Sequence, residues 1–137
     1  MISYNNIDNG FRIKDKLKLK KWILKSIEEE KRGVNFMSFN FCSDEYILEL
    51  NNSALKHNYY TDIITFELNY KKENIEADIY ISIDRVKENA KFLKESFVNE
   101  LHRVIIHGVL HLCGYKDKSS RESKKMREKE NYYLNKR

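Results

Sequence analysis

The residues of this chain best suited to chemistry lie in one short run, His107-Gly108-Val109-Leu110-His111-Leu112-Cys113-Gly114-Tyr115-Lys116-Asp117. Histidines four apart share one face of a helix, a turn from each other, so two imidazole nitrogens can reach one ion. Gly114 suits a left-handed turn that ends the helix. The chain can then double back and offer Asp117 as an oxygen donor. Two histidines and a carboxylate match catalytic zinc, where three protein groups leave a position for water. The expectation is one Zn2+ per chain, held by His107, His111 and Asp117 and used by a hydrolase. The competing explanation is a pair of core histidines, each bonded to a carbonyl; the glycine stop and the following aspartate weigh against it. Zinc peptidases of the H-E-x-x-H type carry a glutamate after the first histidine as general base. Gly108 stands there, which argues against peptide hydrolysis.

The surrounding residues extend this site. Val104, Ile105, Ile106, Val109, Leu110 and Leu112 wrap the segment in apolar side chains, so the helix is expected to be buried. Arg103 lies one helical step before His107, and its guanidinium is the candidate catalytic group for binding a phosphate bidentately. Its plainer role is to face solvent or to pair with Glu100. His102 falls off this stripe and reads as structural. Cys113 points away from the histidines and reads as a small buried hydrophobe. Lys56, His57, Tyr59 and Tyr60 mix basic and aromatic groups in a way that suits contact with single-stranded RNA; a packed loop is the alternative. Lys124, Lys125, Arg127 and Lys129 alternate with Glu122, Glu128 and Glu130, the pattern of a solvated helix face.

The elements that must position these groups follow from apolar periodicity. Residues 2–7 read as a short strand. Leu19, Trp22, Ile23 and Ile27 mark a helix over 16–31, with Gly33 as its stop. Residues 34–41 form a strand. A helix capped by Ser43 or Asp44 carries Tyr46, Ile47, Leu50 and Leu55. Strands at 62–66 and 77–83 flank a polar turn at 69–76 and form a hairpin. Helices follow at 84–96, 98–113 and 120–134, the last opened by Ser119 and Glu122 at capping-box spacing. The order β-α-β-α-β-β-α-α-α predicts an α+β fold with one mixed sheet of about four strands and about five helices, in a single metal-dependent hydrolase domain over residues 1–137.

Bulk properties fit this frame. The chain has 137 residues, 41% hydrophobic and 34% charged, with no proline and four glycines. That length suits one core-forming domain. No apolar run approaches the ~20 residues of a membrane span, and no basic head precedes an apolar stretch at the start. Cys42 and Cys113 fit a reducing compartment. The expectation is a cytoplasmic protein with no membrane partner. A net charge of +5 and a pI near 9.1 are compatible with a polyanion such as RNA.

The run H-G-V-L-H-L-C-G-Y resembles the signature H-G-x-L-H-L-x-G-Y-D-H of the YbeY endoribonuclease family of bacterial rRNA maturation factors. Leu50-Asn51, then Thr61-Asp62-Ile63-Ile64-Thr65-Phe66, resembles that family's L-N and T-D-V-L-S-F blocks. Asp78-Ile79-Tyr80-Ile81-Ser82, then Arg85-Val86, resembles its G-D-I-x-I-S and R-V block. The likeness spans about residues 34–118. It implies a zinc-dependent, single-strand-specific endoribonuclease acting in small-subunit rRNA 3′-end maturation and ribosome quality control. The implied partners are rRNA, single-stranded RNA and a small-subunit ribosomal protein. Asp117 replaces the family's third histidine, Lys116 its aspartate and Tyr60 its proline. The family's loop arginine has no counterpart, since Leu55 stands there beside Lys56. A non-catalytic ribosome-assembly module with structural zinc, or a metal-dependent hydrolase of another substrate class, are the other readings.

Overall fold

The computed structural model describes residues 1–56, 61–68 and 74–137. Its elements are β1 (Ile2–Asn6), α1 (Lys16–Glu29), β2 (Gly33–Cys42), α2 (Asp44–Leu55), β3 (Ile63–Glu67), β4 (Asn74–Ser82), α3 (Ile83–Leu93), α4 (Phe97–Leu112) and α5 (Ser120–Leu134). The order and the α+β class are those expected. The sheet runs β1-β2-β4-β3, with β1, β2 and β4 parallel and β3 antiparallel to β4, so the expected hairpin is present in a mixed four-stranded sheet.

Strand alternation divides the apolar residues between two faces. On one, Met37, Phe39 and Phe41 of β2 and Ile75, Ala77, Ile79 and Ile81 of β4 join Leu19, Ile23 and Ile27 of α1, Val104, Ile105 and Val109 of α4, and Met126 and Tyr133 of α5. On the other, Cys42 and Ile64 meet Ile47 of α2, flanked by Tyr46, Phe66 and Tyr80. Helix α4 is apolar nearly all round and touches α1, α3, α5 and the sheet, so it forms the buried axis of the larger core. No helix among the described residues is long and apolar enough to cross a membrane.

Several boundaries differ from the sequence expectation, each for a local reason. Helix α1 is ended by Lys31 in a left-handed conformation, φ 63°, and not by Gly33. Arg32 N–H donates to the Ile27 carbonyl at 3.1 Å and Lys31 N–H to the Glu28 carbonyl at 2.9 Å, which satisfies the last carbonyls of the helix. Gly33 instead opens β2 where it pairs with Asn74, and a Cβ there would come within 2.6 Å of Asn74 Oδ1. The helix expected through residue 96 stops at Leu93, because Lys94 turns left-handed (φ 57°) and Ser96 caps α4 by accepting from Asn99 N–H at 3.0 Å. Asn74–Glu76, expected in a turn, already belong to β4, where β2 supplies a parallel partner; residues 69–73 lie outside the described residues.

Ser43 caps α2, accepting from Tyr46 N–H at 3.1 Å. The box at α5 is reciprocal: Glu122 N–H donates to Ser119 Oγ at 3.1 Å, and Ser119 N–H to Glu122 Oε1 at 2.9 Å. Ser119→Ala is expected to cost about 1 kcal/mol of folding free energy. Urea titration checks this, with the midpoint falling and the slope unchanged.

Candidate metal centre

Helix α4 brings His107 and His111 onto one face, and the turn after it supplies the third group. Gly114 takes φ 107°, a conformation open to glycine and strained for other residues. Tyr115 N–H then donates to the Leu110 carbonyl and Gly114 N–H to the His111 carbonyl, both at 3.0 Å, which ends the helix and reverses the chain. Ser123 Oγ donates to the Asp117 carbonyl at 2.9 Å and ties the loop to α5. As a result Asp117 Oδ2 lies 3.3 Å from both His107 Nε2 and His111 Nε2, and the two nitrogens lie 3.0 Å apart. Among the described residues this is the one group of three or more His, Cys, Asp or Glu donors close enough to share an ion.

The hydrogen bonds behind the triangle decide what it can hold. His107 Nδ1 donates to Glu130 Oε2 at 2.7 Å, and His111 Nδ1 donates to the Tyr115 carbonyl at 2.9 Å. In neutral imidazoles those bonds leave both Nε2 atoms as bare acceptors. Two lone pairs and a carboxylate oxygen then face one another with no proton between them. A tetrahedral zinc with nitrogen and oxygen ligands at about 2.0–2.1 Å holds such atoms roughly 3.3 Å apart. The donor set and its spacing therefore fit the ion.

Glu130 anchors the charge network. It is buried, 4% exposed, and also accepts from Arg103 Nη1 at 3.0 Å, with Arg127 Nη1 at 3.6 Å from the same oxygen. Arg103 thus pairs with Glu130 of α5, neither facing solvent nor pairing with Glu100. Charge alternation alone places Glu130 on a solvated face, and the structure buries it. Its position in the stripe Met126, Glu130, Tyr133, Leu134 was the available signal, since a charge repeated into an apolar period is a buried charge. Burial raises the carboxyl's pKa, but bonds from His107 and Arg103 outweigh it and hold the pKa below the usual glutamate value. For His107 burial works against protonation, and the Glu130 bond and the charges of Glu130, Asp117 and Asp62 reverse this and raise its pKa.

Two cavities meet at the triangle. One, of about 350 Å³, is lined by Asp62, Glu100, Arg103, His107, Asp117 and Glu130, among others. The other, of about 450 Å³, is lined by Asn51, Leu55, Thr61, Asp62, His111 and Asp117, among others. Asp62 and Glu100 both have raised pKa values, burial being the larger cause in each. Glu100 Oε1 is buried without a hydrogen-bond partner.

Other residues singled out from sequence fall as follows. Lys56 is the exposed left-handed cap of α2, beside Leu55 at the second cavity. His57, Tyr59 and Tyr60 lie outside the described residues. His102 packs its ring against Trp22 at 5.6 Å and accepts from Arg137 at 2.9 Å, with its pKa pushed down to about 4, chiefly by burial. Cys113 packs partly buried against the core, away from the donor triangle. Gly108 has a packing reason: a Cβ there would come within 2.6 Å of Ile63 Cδ1 and 3.4 Å of Thr65 Cγ2, so a larger residue must displace the Ile63 side chain.

The chain is similar to known proteins over nearly its whole length. The family model described as Endoribonuclease YbeY matches residues 3–137. A Cytophaga hutchinsonii protein named Endoribonuclease YbeY is 45% identical, over 93% of this chain and 89% of its own length. One of the same name from Karelsulcia muelleri is 43% identical, over 98% and 94%. The solution structure of a Thermotoga maritima protein superposes with a TM-score of 0.68 at 31% identity, covering 98% of this chain and 87% of that one.

The pKa directions set a pH window for the metal-free protein. Glu130, depressed on folding, contributes stability above its ordinary value of 4.5 and loses it as pH falls through the lower folded value. His107, raised on folding, contributes below its ordinary value of 6.5 and loses it as pH rises through the higher folded value. The pair therefore contributes most between those two ordinary values. After chelator treatment, Glu130→Ala is expected to cost about 3–5 kcal/mol, as for other broken buried pairs. Urea titrations at pH 4, 5.5 and 8 should find the largest loss at the middle pH.

Proposed function

Because the chain belongs to the Endoribonuclease YbeY family, we propose that it is a zinc-dependent endoribonuclease that cuts single-stranded RNA, matures the 3′ end of small-subunit rRNA and takes part in ribosome quality control. Such an enzyme works where rRNA is processed, in the bacterial cytoplasm. The observation that carries the metal assignment is the donor triangle, with edges of 3.0, 3.3 and 3.3 Å and both Nδ1 protons directed elsewhere.

His107 Nε2, His111 Nε2 and Asp117 Oδ2 would hold the ion. Bound zinc supplies acidity to a water and polarises a phosphoryl oxygen. The chain's own groups do the rest. Glu130 and the Tyr115 carbonyl hold the two Nδ1 atoms as donors, so both Nε2 atoms face the ion without a ring having to rotate. Arg103, held against Glu130 at 3.0 Å, borders the cavity beside the triangle and directs a guanidinium to a phosphate bound there. Lys56, at the exposed end of α2, and His57 and Tyr59 after it are assigned to the RNA strand as phosphate contacts and a stacking surface.

Purified protein is expected to carry about one zinc per chain, and His111→Ala to lose both the metal and RNA cleavage. Chelation should abolish cleavage and added zinc restore it. Metal-free protein that cuts equally well overturns the assignment. Bound zinc with intact RNA favours the assembly-module reading instead. Glu130→Gln, which leaves the ligands in place, should weaken zinc binding about 10- to 100-fold in a competition titration.

A further inference from the structure

Three residues line both cavities that meet at the donor triangle: His107, Asp117 and Asp62. The first two belong to the triangle. Asp62 falls outside that donor cluster and stands where the two cavities meet.

Its placement is fixed from behind. Asp62 immediately precedes β3, and its carbonyl accepts from Ser82 N–H at 2.9 Å, which pins the backbone to the end of β4. Among the described residues, the side chain that donates to its carboxylate is Asn89 of α3, to Oδ2 at 3.3 Å. That contact orients the carboxylate of a residue that lines both cavities.

The other carboxylates of the site are committed. Asp117 is a corner of the triangle. Glu130 is spent on His107 and Arg103 and is 4% exposed. Glu100 is 4% exposed, has a buried, unpartnered Oε1 and lines only the smaller cavity. Outside the triangle, Asp62 is the one of these carboxylates that joins partial exposure to a place on both cavities. Catalysis by proton transfer needs a group within hydrogen-bond reach of the nucleophile, judged by geometry first.

Resting on the endoribonuclease reading, we propose that Asp62 is the proton acceptor for the water that attacks the scissile phosphate. As the water oxygen bonds to phosphorus, one of its protons passes to the Asp62 carboxylate. The bond from phosphorus to the leaving ribose oxygen breaks, and that oxygen takes a proton from bulk water through the cavity mouth. Asp62 then returns its proton to bulk. One water is consumed per cut, and nothing is oxidised or reduced.

The test compares zinc-loaded wild type, Asp62→Ala, Asp62→Asn and His111→Ala on one single-stranded RNA. Asp62→Ala is expected to keep about one zinc per chain by metal analysis. It should also bind the RNA with a Kd within a few-fold of wild type. Its kcat should fall about 10²- to 10⁴-fold with KM little changed. Added formate should restore part of that rate, and restore nothing to His111→Ala. Asp62→Asn keeps the shape and the Asn89 contact, so its melting temperature should match wild type while its rate falls as far. Cleavage at wild-type rate by either variant overturns the inference, as does parallel loss of zinc or RNA binding, or failure of formate to rescue a folded, zinc-loaded Asp62→Ala. Intact RNA with the zinc-loaded wild type overturns the endoribonuclease reading and this inference together.

Discussion

The arrangement on which the rest of the site depends is a close triangle of donor atoms. Two imidazole nitrogens and a carboxylate oxygen stand 3.0–3.3 Å apart. Each imidazole has turned its proton outward, to Glu130 or to the Tyr115 carbonyl. Acceptors so close together are unfavourable unless a cation or a proton lies between them. The fold keeps them there by rigid means. Helical pitch sets the two histidines, and a glycine with φ 107° reverses the chain after Cys113. The backbone of α4 and its cap set where the three side chains start, and the bonds to Glu130 and the Tyr115 carbonyl set where the two rings point.

That rigidity has to be supplied from outside α4, and α5 supplies it. Glu130 reaches across to His107 and Arg103, Ser123 holds the Asp117 carbonyl, and the capping box at Ser119 fixes where α5 begins. Trp22 of α1 donates to the Tyr133 carbonyl at 2.8 Å and anchors the far end of the same helix. The end of α1 also reaches the metal loop from the other side: Tyr115 Oη donates to Glu30 Oε1 at 2.8 Å, and the Tyr115 carbonyl is the acceptor that orients His111. Core packing and site geometry are therefore one construction, and Gly108 belongs to both, because it lets α4 approach β3 closely between the two histidines.

What was legible in the sequence was whatever periodicity and local chemistry encode. The His107–His111 pair, the Gly114 stop, the Asp117 reach-back and the order of elements all follow from spacing within one segment. What was not legible depended on contacts between segments. Glu130 looked like part of a solvated charge pattern, because alternating lysines and glutamates hide which face meets the core. The partner of Arg103 lies 27 residues away on another helix, beyond the reach of helical spacing, which pointed to Glu100. The misplaced stop at Gly33 has the same origin. A glycine after a helix suggests a cap, yet here Lys31 accepts the left-handed strain and the glycine serves the close approach of β2 to Asn74.

The balance of charge around the smaller cavity is one that a bound cation would relieve. Its walls carry four carboxylates, Asp62, Glu100, Asp117 and Glu130, against the guanidiniums of Arg103 and Arg127. Burial raises the pKa values of Asp62 and Glu100, the response of carboxylates crowded together in a poorly solvated space. A phosphodiester entering such a cavity alone would meet repulsion from Asp117 and from any ionised neighbour. A dication at the triangle reverses the local sign, and the two guanidiniums can then add to the attraction in place of merely offsetting Glu130. Asp117 in the place of a third histidine makes this dependence steeper, since an anionic ligand cancels part of the ion's charge. An anionic third ligand leaves the two guanidiniums of that wall a larger part of the cavity's positive charge than a neutral imidazole would.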